Sequence, residues 1–314
     1  MRVLSTGQPF WIGLAVAVLA AWQVTQAAQF RAAHRAADVD QNLLSILPVV
    51  AANNFVLVAV PAGSLSTFAL FLANARRKGF APERAAVAVA VFAVFQYLAL
   101  AIGISLALLA LAVRGVLFPI EWLPALPMFA VALAQYAVLL AALRAPERLE
   151  RAMVWLAERI NRVSGRLFRR DLAPVDRVHR IAANAAEGLA SMRQKGLRAQ
   201  LGLLAYGMVS QALLGVMLAL LLLAFRQPAS LTIVLAGLGM AGLFTVVSPT
   251  PVGLGVVEGA VAIVLAWLGI QPGPALIVSL AFRGLTLWLP VLYGFVALEA
   301  LGFRAIRPKN KDEG

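Results

Sequence analysis

Long uninterrupted apolar runs constrain this chain most, because about 20 consecutive apolar residues are enough to span a bilayer. Of its 314 residues, 62% are hydrophobic and only 13% are charged, whereas about a quarter of the residues of a soluble domain carry charge. The charged residues cluster between the apolar runs. We therefore predict an all-α, polytopic integral membrane protein with about eight hydrophobic helical segments.

The apolar runs divide the chain into two membrane halves. We place the N-terminal half at 1–143, a basic amphipathic segment at 144–198, the C-terminal half at 199–303 and a polar tail at 304–314. The predicted apolar segments are 9–28, 43–60, 65–75, 85–113, 122–143, 199–225, 229–247, 256–270 and 274–301.

The middle segment has apolar residues at helical spacing, namely Met153, Leu156, Ile160, Val163 and Leu167. This period is typical of amphipathic helices that lie on a membrane surface. A solvated helical linker is the alternative interpretation of the same pattern.

Basic residues predict the orientation of the chain, because loops rich in Lys and Arg stay in the cytoplasm. The net charge is +13, and the basic clusters lie near Arg31, near Arg76, in the middle segment and in the tail. We expect the N-terminus outside and the middle segment and C-terminus inside, with anionic lipid rather than nucleic acid facing these charges. A cleaved signal peptide ending near Ala28 is the alternative, and it would reverse the orientation.

Two apolar segments are interrupted by chain breakers at corresponding places. At an offset of 190, the matched pairs are Pro61 and Pro251, Gly63 and Gly253, Gly79 and Gly269, Pro82 and Pro272, Ala85 and Ala275, and Phe92 and Phe282. We predict an inverted repeat with two broken or re-entrant helix pairs. Such pairs point to a transporter-type site near the bilayer midplane, although Pro and Gly also kink ordinary packed helices.

Two charged residues lie deep in the C-terminal apolar region, where a lone charge is costly. Glu258 falls in the first turn of a predicted helix, and Arg283 lies within the last one. We expect them to pair or to line a wet cavity. Arg283 is a candidate for binding a lipid phosphate, and Glu258 for balancing charge or carrying a proton. A purely structural ion pair is the alternative.

The remaining candidate binding residues flank the two breaks. Backbone amides after the second break would bind an anion at a helix N-terminus. The candidates are Pro249, Pro251, Gly253 and Gly255 at the second break, and Asn53, Asn54, Pro61 and Gly63 at the first. Gln96 and Gln211 are weaker candidates, since polar residues inside membranes often tie helices together.

Signatures of an enzyme are missing from the sequence. The chain contains no Cys, and its only histidines are His34 and His179, so we expect no metal site and no Cys nucleophile. It has neither a phosphate-binding P-loop nor a Gly-x-Ser-x-Gly motif. We therefore predict a protein that is not an enzyme and needs no cofactor.

The stretch Pro249 to Gly259 (PTPVGLGVVEG), followed by Arg283 to Pro290 (RGLTLWLP), resembles the lysylphosphatidylglycerol synthase transmembrane region family. This is the flippase-like domain of multiple peptide resistance factors and of stand-alone bacterial and archaeal proteins. The resemblance implies lipid handling in a bacterial-type plasma (inner) membrane. The acid that members often carry after the first break is absent from Pro61 to Thr67.

We therefore predict a flippase-like transporter that moves a phosphate-bearing lipid, either a phospholipid or a polyprenyl-phosphate-linked lipid, between leaflets. Membrane lipids would be its partners. The alternative is a non-transporting scaffold for a lipid-modifying or glycosyl-transferring enzyme, docked on the basic segment at 144–198.

Overall fold

The computed structural model describes residues 7–60, 63–113, 125–145 and 175–302, with a few isolated positions between 115 and 159. Every regular element in these residues is helical. The elements are α1 (Pro9–Ala36), α2 (Leu43–Ala59), α3 (Gly63–Arg77), α4 (Pro82–Val113), α5 (Ala125–Arg144), α6 (Val175–Ala224), α7 (Leu231–Val247), a 3-10 turn (Pro251–Gly253), α8 (Val256–Trp267), α9 (Pro272–Arg283), a π-helical turn (Gly284–Trp288) and α10 (Leu289–Ala300).

The described helices have the lengths and composition of a polytopic membrane protein. Five helical stretches are long and apolar enough to cross a membrane, if α9, the π-helical turn and α10 are counted as one, and three shorter helices are apolar. Large apolar side chains on the outside of the helix bundle are exposed, for example Leu133, Leu292 and Val296. This is expected of surfaces that face lipid. The prediction of an all-α polytopic fold is thus confirmed.

The first helix is longer than predicted, since α1 ends at Ala36 and not at Ala28. The added turns contain polar residues that pack inside the protein. Gln29 Nε2 donates to the Leu203 carbonyl at 3.1 Å, and the His34 ring lies 4.4 Å from that of Phe30. Because these polar groups are buried against protein, they do not end the helix as they would at a water interface.

The end of the basic segment leads directly into a membrane helix. Helix α6 starts at Val175 and continues to Ala224, with non-helical dihedral angles at Gly196 (φ 66°, ψ −161°). The structure therefore bends at Gly196, two residues before the predicted boundary at Arg198. The amphipathic positions from Met153 to Leu167 lie outside the described residues.

One end of the bundle, here called the basic end, gathers basic side chains from several helices. Arg77 Nη1 donates to the Leu301 carbonyl at 2.7 Å. Lys78 Nζ donates to the Ser45 carbonyl at 3.1 Å. Since Ser45 lies in the first turn of α2 and Lys78 follows α3, this helix pair enters and leaves the bundle at the basic end.

The second broken pair opens toward the other end. The amide of Gln8 donates to the Ala224 carbonyl at 3.0 Å, which places the start of α1 beside the end of α6. Helix α7 follows that end, and Leu265 near the end of α8 packs against Gly237 in the first turns of α7. The α7–α8 pair thus enters and leaves at the end opposite to the α2–α3 pair, as an inverted repeat requires.

The four helices of these pairs are short for a complete crossing. Helix α2 has 17 residues and α8 has 12, which correspond to about 25 Å and 18 Å at 1.5 Å per residue. The hydrocarbon core is about 30 Å thick. The two breaks therefore fall inside the membrane-spanning part of the bundle.

In each half, the first helix of the broken pair packs against the helix that follows the broken pair of the other half. A Cβ atom built on Gly294 of α10 would lie 2.6 Å from the Ala51 carbonyl oxygen of α2. In the related position, a Cβ on Gly242 of α7 would lie 2.4 Å from Leu100 Cδ1 of α4. Small residues allow this close helix approach in membranes, and the reciprocal packing supports the predicted repeat.

Candidate functional site

A cavity of about 370 Å³, here called the central cavity, lies where the two halves meet. Its wall comes from α1, α2, α4, α6, α7, the second break, the π-helical turn and the start of α10. The lining residues are Trp22, Gln26, Val50, Asn53, Asn54, Leu57, Val58, Phe92, Gln96, Tyr97, Leu100, Ser210, Gln211, Leu214, Thr245, Val246, Val252, Thr286, Leu287 and Pro290. Ten of these have a polar group in the side chain, but none is charged.

A hydrogen-bonded triad fixes one side of the cavity. Gln23 Oε1 accepts from Tyr293 Oη at 2.9 Å and from Asn54 Nδ2 at 3.2 Å. These bonds join α1, α2 and α10. They hold Asn54 on the cavity wall at the interface between the two halves.

Other polar groups of the cavity wall differ in how they are satisfied. Gln96 Nε2 donates to Gln26 Oε1, which links α4 to α1. By contrast, the Trp22 Nε1 donor and the Asn53 Oδ1 acceptor are buried without a partner among the described residues. Buried polar atoms of this kind are costly unless a water or a ligand satisfies them.

The second break has a folded backbone in which three residues adopt left-handed φ angles. Thr250 stabilises it, since its Oγ1 donates to the Leu254 carbonyl at 3.0 Å. Val252, Gly253 and Gly255 have positive φ angles of 53°, 72° and 80°. A Cβ on Gly253 would lie 2.4 Å from Val257 Cγ2, so this position needs glycine for its backbone and for space.

A buried ion pair holds this break in place. Arg283 Nε donates to Glu258 Oε1 at 3.1 Å, and Arg283 Nη2 donates to the Val252 carbonyl at 2.9 Å. Ser279 Oγ donates to the Glu258 carbonyl at 2.7 Å. Arg283 and Glu258 are only 6% and 9% exposed, so the pair joins α8, α9 and the break inside the protein.

The predicted pairing of Glu258 with Arg283 is therefore present, but neither side chain lines the central cavity. Val252 connects the two features, since it lines the cavity and its carbonyl accepts from Arg283. Glu258 Oε2 is buried and has no partner among the residues described. Binding of a phosphate by Arg283 stays a prediction, and it would require this pair to open.

The amide groups of the second break are partly occupied. The Gly253 amide donates to the Thr250 carbonyl at 3.0 Å, and the Leu254 amide donates to the Pro251 carbonyl at 3.2 Å. The Gly253 amide is therefore not free to bind an anion, contrary to expectation, because the 3-10 turn uses it. Pro249 and Pro251 lie exposed on the break, outside the cavity wall.

At the first break, the described residues include the candidates Asn53, Asn54 and Gly63 but not Pro61. Asn53 and Asn54 both line the central cavity, as a site near this break requires. Gly63 is the first residue of α3. Pro61 lies outside the described residues.

Sequence reasoning missed part of the site. Trp22, Gln26 and Thr286 line the cavity, but they look like isolated polar residues in apolar runs. The last segment was expected to be one regular helix, yet it contains a π-helical turn at Gly284–Trp288. The sequence feature that could have indicated this interruption is the presence of Gly284 and Pro290 within one apolar segment. Such π turns often occur at functional sites.

An apolar groove of about 460 Å³ lies beside the central cavity. It runs between α4, α6 and α7, and its wall includes Gly103, Gly215 and Leu238. Gln211 lines both the groove and the central cavity. The two spaces are therefore adjacent, one polar and the other apolar.

Comparison with curated proteins gave no match, and comparison with solved structures gave none either. The sequence profile of one family, the lysylphosphatidylglycerol synthase TM region, matches residues 1–294. This match covers the N-terminal half, both breaks, the Glu258–Arg283 pair and the C-terminal half as far as residue 294. The chain therefore belongs to the lysylphosphatidylglycerol synthase transmembrane region family.

Proposed function

We propose that the protein moves the head group of a phosphate-bearing lipid between leaflets by way of the central cavity. The family is the flippase-like, non-catalytic membrane part of lysylphosphatidylglycerol synthase. The observation that carries the proposal is a polar cavity between two oppositely directed broken helix pairs. Paired broken helices of this kind form midplane sites in secondary transporters.

The size and wall of the cavity suit a lipid head group. Its volume of about 370 Å³ falls within the range of about 300 to 1,000 Å³ found for small-molecule sites. Amides and hydroxyls on its wall replace bonds that the head group makes with water. The acyl chains stay in the bilayer, and the apolar groove that shares Gln211 gives one chain a place beside the cavity.

The Glu258–Arg283 pair positions one wall of this cavity. Arg283 holds the Val252 carbonyl, and Val252 faces the cavity. The π-helical turn that follows Arg283 supplies Thr286 and Leu287 to the same wall. The second half thus couples its ion pair directly to the shape of the cavity.

Reconstitution into liposomes tests the proposal. Purified protein and a phosphatidylglycerol with a fluorescent acyl chain are placed in the same vesicles, and a membrane-impermeant reductant measures the fraction of label exposed outside. We expect the protein to accelerate exchange of the inner-leaflet label. If no phosphate lipid moves faster than in protein-free vesicles, the scaffold alternative is favoured instead.

A matched pair of variants separates cavity function from folding. Gln211→Trp places an indole in the cavity wall and should abolish most of the acceleration. Gln200→Trp lies on the same helix outside the cavity, where Gln200 accepts from Tyr136 Oη at 3.4 Å. It should retain transport. Equal rates for both folded variants would contradict passage through the cavity.

A further inference from the structure

The apolar groove between α4, α6 and α7 has the depth of one leaflet. On α6 its wall extends from Met208 to Ala219, a separation of eleven residues or about 16 Å at 1.5 Å per residue. The groove also reaches Leu231, the first residue of α7, at the end opposite to the basic end. One leaflet supplies about 15 Å, half of the hydrocarbon core. The groove therefore lies in the leaflet at the end opposite to the basic end.

The groove is an opening on α4 between two close helix contacts. A Cβ atom on Gly207 of α6 would lie 2.8 Å from Ala99 Cβ of α4. A Cβ atom on Gly239 of α7 would lie 2.3 Å from Ala107 Cβ, two turns further along α4. Between these contacts, a Cβ atom on Gly103 would meet no atom of the described residues within 4 Å. Glycine weakens a helix interior, and no close contact requires it here, so its effect is to leave the groove open.

The groove faces the bilayer on one side and the central cavity on the other. Leu106, Val216 and Leu231 line it and are exposed on the outside of the bundle. On its inner side, Gln211 also lines the central cavity. Gln211 carries the only amide or hydroxyl side chain among the described residues that line the groove. The two adjacent spaces therefore fit an amphiphile, with its polar part in the cavity and an apolar part in the groove.

We infer that the groove is a side portal, which joins the central cavity to the leaflet at the end opposite to the basic end. One acyl chain of the transported lipid occupies this portal while the head group is in the cavity, and the other chain stays in the bilayer. Gly103 sets the width of the portal. This inference rests on the proposed function and names the route by which lipid reaches the same cavity.

The energetics favour a portal over a tight binding site. Lipid tails are as apolar as the side chains of the groove, so a chain gains little free energy when it moves from the bilayer into the groove. A chain drawn into the cavity itself would instead contact polar groups such as those of Gln96 and Ser210, at a cost that grows with its apolar area. The groove therefore lowers the barrier to translocation, and blocking it should slow translocation.

A matched pair of glycine variants tests the portal in the liposome assay with phosphatidylglycerol. Gly103→Trp fills the groove and should slow exchange by at least about tenfold, because the chain must then force its way past the indole. Gly202→Trp is the control, since Gly202 lies on α6 outside both spaces and its added Cβ also meets no atom of the described residues within 4 Å. It should keep the unmodified rate. If Gly103→Trp does not fold, Gly103→Leu should show the same slowing to a smaller extent.

The outcomes distinguish this inference from the proposed function. Equal rates for folded Gly103 and Gly202 variants would overturn the portal, while the proposed function would stand. If the unmodified protein moves no phosphate lipid, the proposed function fails and the inference fails with it.

Photo-cross-linking identifies what occupies the groove. Two probes carry the same diazirine-labelled acyl chain, one as phosphatidylglycerol and one as diacylglycerol, which has no phosphate. Mass spectrometry compares the label on residues 208–219 with that on Leu292 and Val296, which are exposed on α10. We expect this ratio to be at least about threefold higher for phosphatidylglycerol, because only its head group enters the cavity. Equal ratios would mean that any bilayer chain fills the groove and would overturn the inference. Absence of label from the groove, as when a second copy of the protein covers it, would overturn it too.

Discussion

At the second break a buried ion pair joins three elements, whereas the corresponding positions of the first half are apolar. In the sequence repeat, Glu258, Arg283 and Ser279 align with Phe68, Ala93 and Val89. Both halves share the Pro-x-Gly break, the glycine turn at Gly79 or Gly269 with positive φ, and a proline that begins the next helix. The pattern of interruption is thus repeated, but the chemistry that holds each break is not.

Aromatic packing takes the place of charge in the first half. Phe68 and Val89 belong to a cluster that also contains Phe30 and Phe71, whose ring centroids are 4.1 Å apart. Such a cluster tolerates small changes because its contacts are many and weak, whereas an ion pair depends on both members. The comparison indicates that the second half is the electrostatically sensitive one, and the following predictions test it.

The largest effect is expected from Arg283→Gln. This change leaves Glu258 buried without its cation, and breaking a buried pair in this way costs about 3 to 5 kcal/mol. Thermal unfolding in detergent, followed by intrinsic fluorescence, should show a large loss of stability. Arg226→Gln is the control. Arg226 follows α6 at the end of the bundle opposite the basic end, and its side chain is exposed.

The double variant Glu258→Gln/Arg283→Gln separates structure from binding. Because it removes both charges, we expect it to recover much of the stability lost in Arg283→Gln and to retain lipid translocation. A double variant that folds but no longer translocates would show that transport needs the pair itself, through the wall at Val252 or through contact with the lipid.

The next largest effect is expected from Gly253→Ala. The new methyl group would meet Val257 Cγ2 at 2.4 Å and the Phe244 carbonyl oxygen at 3.0 Å, at a φ of +72°. Left-handed backbone and overpacking together should cost about 2 to 3 kcal/mol. Gly255→Ala is the matched control, since its φ is +80° but no atom lies within 4 Å of the added Cβ. Equal destabilisation of the two would show that crowding at Gly253 is unimportant.

The comparison also shows what could be predicted from the sequence. Helix existence and the repeat were predictable because apolar length and chain breakers are local properties of the chain. Pairing of Glu258 with Arg283 was predictable because two isolated charges in hydrocarbon have few other partners. The position of Arg283 behind Val252, away from the cavity, was not predictable, since it depends on the tertiary fold of the break.

The cavity wall was predictable only in part, for a related reason. Asn53 and Asn54 stood out because they precede a break, whereas Trp22 and Gln26 lie on α1, which has no break. Their role depends on the packing of α1 against the two halves. The π-helical turn was also missed, because it needs a choice between hydrogen-bond registers that tertiary contacts decide.

A smaller effect is expected in the first half from Phe71→Leu. The change removes the stacked contact with Phe30 and keeps an apolar side chain of similar reach, and aromatic pairs of this kind contribute about 0.5 to 1.5 kcal/mol. Thermal unfolding should therefore show a modest loss that is the same at low and high salt. A loss as large as that of Arg283→Gln would contradict the proposed difference between the halves.

The smallest effect is expected at an exposed ion pair, which serves as the counterpart of the buried one. Lys195 Nζ lies 2.7 Å from Asp38 Oδ1 at the basic end, and hydrogen bonds from Lys195 and then Ser191 hold the pKa of Asp38 below its ordinary value of 3.8. Because the folded pKa is lowered, its stabilisation is present above pH 3.8 and is lost as the pH falls through the folded pKa. Exposure limits the contribution to less than about 1 kcal/mol.

Asp38→Asn should therefore lower thermal stability slightly at pH 7, and the difference from the unmodified protein should vanish at low pH and shrink in 1 M salt, where the Debye length is about 3 Å. The Glu258–Arg283 pair should respond differently, since its burial shields it from salt. If the loss in Arg283→Gln were screened by salt as strongly as the loss in Asp38→Asn, the second break would be open to water. The proposed contrast between the buried ion pair of the second half and the aromatic cluster of the first half would then be wrong.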